Sequence, residues 1–187
     1  MNIFQHINIY ITKLYFFRKG IKGNITSIGI PQIEIKPKGK LQILGKLILV
    51  NTTKHSTLGK PQRCKFLVYK NANLTFEGDV SMSNTTIIAS QNIKIGHNVM
   101  IGGGVTIIDT DFHSMNYELW NTPFDEKEMI RENVTIGNNV FIGMDSLILK
   151  GVTIGNGVVI AARSVVTKDI PANEIWGGNP AKFIKKR

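Results

Sequence analysis

Four histidines, His6, His55, His97 and His113, are the side chains of this sequence that exchange a proton near neutral pH. An imidazole suits general-base chemistry, the removal of a proton from a hydroxyl or amine as it attacks an electrophile. His113 has neighbours fit for that task, because Asp111 stands two residues before it and Asp109 four. A carboxylate nearby would select one tautomer and raise the basicity of the ring. The spacing leaves both aspartates open, either one assisting His113 or meeting an acceptor instead. His97, in Ile95-Gly96-His97-Asn98, reads as a solvent-facing corner residue or as an acceptor contact. His6 and His55 read as surface or packing residues. A zinc hydrolyase would want three histidines around an open metal site, and no close pair of histidines exists here. Cys64 is the only cysteine, so it forms no internal disulfide and reads as a packing residue in a reducing compartment.

These residues must be held by something, and the repeat from Val134 to Asp169 says what. It divides without a slip into VTIGNN, VFIGMD, SLILKG, VTIGNG, VVIAAR and SVVTKD. Third positions are Ile136, Ile142, Ile148, Ile154, Ile160 and Val166, and first positions are aliphatic or small. First and third positions share one face of a short extended segment. Gly or Asn then tolerates the bend at a corner. Three such units make one triangular coil, and stacked coils bury inward ladders, which predicts an all-β solenoid. Ile87/Ala89, Ile93/Ile95, Val99/Ile101 and Val105/Ile107 keep the pattern upstream; Leu74/Phe76, Val80/Met82, Leu41/Ile43 and Leu47/Leu49 suggest earlier coils. Between Met82 and Ile87 the frame slips by one residue, which predicts a bulge or strained corner, and residues 51–70 fit no register. The large break is 109–133, polar and aromatic, which predicts a long loop leaving at a corner close to His113.

Residues 1–20 place Phe4, Ile7, Ile11 and Leu14 at helical spacing, with Ile3, Tyr10 and Phe17 beside them and Lys13, Arg18 and Lys19 for charge. The expectation is a helical segment that docks on the solenoid end or in an oligomer, or else lies on a membrane surface. No span reaches the ~20 apolar residues of a transmembrane helix. A signal peptide is not expected, because the basic residues follow the apolar ones and no small-residue cleavage site appears. The formal net charge of +10 points to an anionic partner. A phosphate-bearing one fits better than nucleic acid, since no nucleic-acid-binding motif is visible.

Three features together carry a family resemblance: the repeat itself, DTDFHS just before the loop, and the ending WGGNPAKFIKK. On these the chain resembles the hexapeptide-repeat acyltransferases of the left-handed β-helix class. The branch is that of galactoside, maltose and serine acetyltransferases and the O-acetyltransferases of surface polysaccharides. The match is strong from Ile87 to Lys186 and weak before Leu74. The resemblance implies a left-handed coil, a homotrimer with active sites between subunits, and acetyl-CoA as donor. It also implies that His113, helped by Asp111 or Asp109, deprotonates an acceptor that attacks the thioester directly. Gly143, Met144, Ala161 and Ala162 match positions that meet the pantetheine arm. Thr167 and Lys168 match positions near the pantetheine and phosphates, and Lys182 and Lys185 a basic tail near the nucleotide. Asn179 and Pro180 belong to the closing turn. Many family members carry a small polar residue where this chain has Met144. His97, Tyr117 and Trp120 are expected to shape the acceptor site.

The function expected is therefore O-acetylation of a sugar hydroxyl in a surface polysaccharide or its precursor, in the cytoplasm or at the inner face of the membrane, without a metal. The runner-up is N-acetylation of an amino sugar or other small amine. A metal hydrolyase resembling the γ-class carbonic anhydrases and a non-catalytic basic scaffold are the remaining alternatives. The domain division expected is residues 1–20, then 21–187 with the loop 109–133 and a tail 170–187.

Overall fold

A computed structural model describes residues 3–52 and 62–187. It opens with α1 (Ile3–Arg18), after which the chain winds through strands two to six residues long. The first coil holds β1 (Asn24–Ile28), β2 (Gln32–Ile35) and β3 (Lys40–Ile43), and the second β4 (Lys46–Val50), β5 (Lys65–Val68) and β6 (Asn73–Phe76). The third holds β7 (Val80–Ser83), β8 (Thr86–Ala89) and β9 (Asn92–Ile95), and the fourth β10 (Val99–Ile101), β11 (Thr106–Ile108) and β12 (Val134–Ile136). The fifth holds β13 (Phe141–Ile142), β14 (Leu147–Ile148) and β15 (Thr153–Ile154). The last holds β16 (Val159–Ile160) and β17 (Val165–Val166), with a bridge from Ile170 to Ile154 in place of a third strand. A hairpin of β18 (Glu174–Gly178) and β19 (Ala181–Lys186) follows.

Strands of equal phase stack into three sheets of eight, six and five strands, the three faces of a prism, parallel throughout except for the last pair, β18 and β19. The solenoid is a left-handed parallel β-helix. The chain turns from the first face to the second at edge I, from the second to the third at edge II, and from the third back to the first at edge III.

The ladders are the core. Leu49, Met82, Ile101, Ile142, Ile160 and Trp176 follow one another up the first face. Phe66, Ile87, Ile107, Ile148 and Val166 line the second, and Ile43, Phe76, Ile95, Ile136 and Ile154 the third. All are buried, and full burial of each aliphatic or aromatic side chain contributes roughly 1.5–3 kcal/mol. At the corners the backbone enters the left-handed region, at Asn98, Asn139 and Gly157 on edge III and at Gly104, Asp145 and Arg163 on edge I. Asn, Asp and Gly tolerate that region best, so the N and G of the repeat are where the prism bends. On edge III the asparagines also tie coil to coil. Asn156 Oδ1 accepts from the Asn138 amide at 2.7 Å, and Asn138 Oδ1 from the His97 amide at 2.8 Å.

The frame slip between Met82 and Ile87 has a local cause. Asn84 takes φ 51°, and Asn84 and Thr85 are both buried, so the extra residue is folded into edge I rather than looped out. Within 51–70, β5 regains the frame at Phe66 and Val68; residues 53–61, including His55, lie outside the described residues. The tail expected at 170–187 is ordered as the β18–β19 hairpin, which adds an antiparallel pair to the first face.

The helix α1 docks on the first coil, but not by the stripe that periodicity suggested. Thr12 and Phe16 are buried against the prism, and the Tyr15 hydroxyl accepts from the Ile33 amide at 3.2 Å. Ile11 and Leu14 face outward. The helix is apolar on two sides, so spacing alone does not select the side that packs.

Candidate active site

The loop 109–133 leaves and re-enters the prism at edge II, and its two legs pair with each other. The Glu132 amide donates to the Asp109 carbonyl at 3.0 Å and the Asp111 amide to the Ile130 carbonyl at 3.2 Å, while Thr110 and Arg131 form an antiparallel bridge. Arg131 extends from the returning leg to the Ser90 hydroxyl at 3.0 Å and to the Glu126 carbonyl at 2.8 Å. Asp109 is fully buried and accepts from the Ser90 and Gln91 amides at 2.6 and 2.8 Å. Burial pushes its carboxyl pKa upward, against the pull of those amides. Its position anchors the base of the loop to the preceding coil.

Above that base the backbone kinks. Phe112 has φ 65°, a conformation that a bulky side chain rarely adopts, and the Thr110 hydroxyl accepts from its amide at 3.2 Å. The next residue is His113, with an exposed imidazole. Its Nδ1 lies 2.7 Å from Asp125 Oδ2, and Asp125 Oδ1 accepts from the Ser114 amide at 2.6 Å. The imidazole side chain is 71% exposed and the carboxylate 12%. Asp125 opens the one-turn helix α2 (Asp125–Glu128). The His113 hydrogen bond, then the Ser114 amide, hold its carboxyl below the usual carboxylate range against a smaller effect of burial. A carboxylate on Nδ1 favours the tautomer that carries the proton there and leaves Nε2 as the basic nitrogen.

The carboxylates expected beside His113 are therefore not the ones that hold it. Asp109 is committed to two backbone amides, and Asp111 Oδ2 sits 3.2 Å from the Lys150 ammonium. Asp125 does the holding from twelve residues downstream, a separation that local spacing does not reveal. The acidic run Asp125-Glu126-Lys127-Glu128, in the same loop as His113, was the available signal.

Both aromatics expected at the acceptor site lie on this loop. Trp120 Nε1 donates to the Ser114 carbonyl at 2.7 Å, so the indole is fixed to the main chain beside His113 while half its surface stays open. Tyr117 begins a 3-10 turn, Tyr117–Leu119, and is exposed. His97 is elsewhere, on edge III, where a Cβ on Gly78 would come 2.2 Å from its Nδ1. The residue is exposed and lies close to Gly78 of the preceding coil. Strand β12 spans the distance from edge II to edge III, roughly 10–15 Å at 3.3 Å per residue, so His97 and His113 of one chain do not share a site.

The donor positions divide in the same way. Gly143, Met144, Ala161 and Ala162 are on edge I. Gly143, Met144 and Ala162 line an apolar groove of about 470 Å³ with Met82, Met100 and Phe141. Gly143 has a structural reason to lack a side chain, because a Cβ there would come 2.4 Å from the Ala162 amide nitrogen of the next coil. Thr167 and Lys168 are on edge II, below the loop, with the Lys168 ammonium 5.4 Å from the centre of the Trp176 ring. Trp176 is buried and closes the end of the prism. Asn179 and Pro180 make the tight turn of the β18–β19 hairpin, and Lys182 and Lys185 are exposed on its outer strand. One chain thus presents the base and Thr167/Lys168 on edge II, the groove along the outside of the first face up to edge I, and His97 on edge III.

Residues 133–168 match the family described as bacterial transferase hexapeptide, six repeats. Protein CapG of Staphylococcus aureus is 50% identical over 93 residues, 50% of this chain and 52% of that protein. The galactoside O-acetyltransferase of Escherichia coli K12 is 43% identical over 103 residues, 55% of this chain and 48% of that protein. The chain spans about half the length of the curated relatives it matches. Among solved structures, AntD, an N-acyltransferase from Bacillus cereus in complex with dTDP and 3-hydroxybutyryl-CoA, superposes with a TM-score of 0.61. The superposition covers 94% of this chain and 88% of that one at 16% identity, a likeness of fold.

Proposed function

We propose that the chain, whose residues 133–168 match the bacterial transferase hexapeptide family, is an acetyl-CoA-dependent O-acetyltransferase acting on a sugar hydroxyl. The sugar belongs to a surface polysaccharide or its precursor, and the enzyme works in the cytoplasm or at the inner face of the membrane. The observation that carries this reading is the exposed imidazole of His113 held through Nδ1 by the largely buried Asp125. Nε2 takes the proton from the acceptor hydroxyl as its oxygen attacks the thioester carbonyl. The C–O bond forms, the C–S bond breaks, and the proton passes to the departing thiolate. Asp125 stabilises the imidazolium that exists between those two events.

The geometry of a single chain supports a homotrimer. The base and the groove are on different edges, so edge II of one copy has to abut edge I of another before base and donor meet. The groove at Gly143, Met144 and Ala162 receives the pantetheine arm, and the basic residues Lys168, Lys182 and Lys185 receive the phosphates. Trp120 and Tyr117 stand where a sugar ring would approach His113, and an apolar ring face suits stacking on a pyranose.

Thiol release from acetyl-CoA, measured against galactosides, other free sugars, polysaccharide fragments and amino sugars, tests the activity and the choice of oxygen over nitrogen. Release with a hydroxyl-only sugar, lost in His113→Ala while the oligomer and CoA binding persist, is the expected result. Release confined to amino sugars would make the enzyme an N-acetyltransferase, and normal turnover in His113→Ala would remove the mechanism.

A further inference from the structure

The outer side of α1 is an apolar stripe bordered by cations. At about 100° per residue, Phe17, Tyr10 and Leu14 fall within about 60° of one another on the helix circumference. Lys13 follows on one side of that stripe and Arg18 on the other, each about 40° further round. All five are exposed; Phe17 is 81% and Tyr10 73% accessible. The opposite side holds Thr12, Tyr15 and Phe16 against the first coil, so the helix cannot roll to hide the stripe. Lys19 and Lys22 are also exposed close by, and the first acidic residue of the chain is Glu34. No helix among the described residues is long and apolar enough to cross a membrane.

We infer that α1 attaches the protein to an anionic bilayer surface, with Tyr10, Leu14 and Phe17 in the headgroup and upper acyl region and Lys13 and Arg18 at the phosphate level. Aromatic rings favour that boundary. Lysine and arginine beside an apolar stripe extend their stems along it and leave their charges in the aqueous layer. Anionic lipid supplies counter-charge to Lys13 and Arg18, in a stretch of sequence that has no acidic residue before Glu34. A second copy of this chain would meet the same cations with its own, and so makes a poorer cover for the stripe. The attachment surface is on the first coil, whereas the His113 loop leaves from the fourth. Membrane binding and acyl transfer are therefore separable by measurement.

The experiment is co-sedimentation of the full chain with vesicles of phosphatidylcholine alone and of an equal mixture with phosphatidylglycerol. Binding is expected to the mixed vesicles, weakened by salt, with little to phosphatidylcholine alone. Phe17→Glu should lower the partition coefficient about tenfold or more, and Arg18→Ser about fivefold. Both positions are exposed, so circular dichroism and thermal unfolding should not move. Absence of binding to the mixed vesicles overturns the inference, as does binding that Phe17→Glu leaves unchanged. A change in particle size caused by Phe17→Glu, with no vesicle binding by the parent chain, would assign the stripe to contact between copies instead.

Discussion

Coils 134–169 and loop 109–133 are held by different means, though they adjoin in sequence. In the coils the same contact recurs at every turn: an inward aliphatic residue stacks on its equivalent, and a corner residue bonds to the next corner. Ile142 meets Ile101 on one side and Ile160 on the other. In the loop nothing repeats. Asp109 ties its base, Arg131 its returning leg, Asp125 its histidine and Trp120 its turn, each through bonds made once. Redundant contacts make a scaffold, whereas single contacts make a site whose parts each have a separable effect.

Substitutions should divide along that line. His113→Ala is expected to have the largest effect, a loss of turnover of roughly 10²–10⁴ with unchanged thermal unfolding. A comparable loss of stability would place His113 in the scaffold class. Ile142→Ala should do the reverse, costing roughly 2–5 kcal/mol of stability. In the part of the population that stays folded, chemical denaturation should show this cost with turnover per active site little changed. Asp125→Asn should lower turnover by about one to two orders of magnitude, less than removal of the base, because it disturbs the tautomer but keeps the ring. The carboxylate of Asp125 has its pKa lowered from 3.8 by His113, so the support it lends the loop is fully present above that value. That support is lost as pH falls through the lower native value. Trp120 emission, followed on acidification, should therefore show a step below about pH 4 in the parent chain. In Asp125→Asn that step should vanish. Trp120→Phe, which deletes one hydrogen bond and keeps a ring, is the smallest, costing about 0.5–1.5 kcal/mol of local stability. Hydrogen exchange at the Ser114 and Asn116 amides would register it, with no change in the coils.

The same division governs what could be read from the chain alone. The coils were legible because each inward position is written several times over, so Ile136, Ile142 and Ile154 confirm one another. The position of the loop was legible as the place where that agreement stops. Its interior was not. Asp109 and Asp111 are nearer to His113 in sequence than Asp125, yet the left-handed turn at Phe112 and the return of the loop through α2 bring the distant carboxylate to Nδ1. Gly143 reads as a clearance for a ligand, and the neighbouring coil requires the same absence of a side chain. On α1, two apolar sides gave the spacing no means to choose between Phe16 and Leu14.

Periodicity by itself determined the prism, its three inward ladders, its corners and the point where it is interrupted. These are properties of local geometry, in which a residue's face follows from its place in a six-residue period. Only the tertiary structure decided which carboxylate holds the histidine, which side of the helix is covered, and that the base and the groove stand on different edges. Those facts depend on where chain segments far apart in sequence come to rest, and no period connects them.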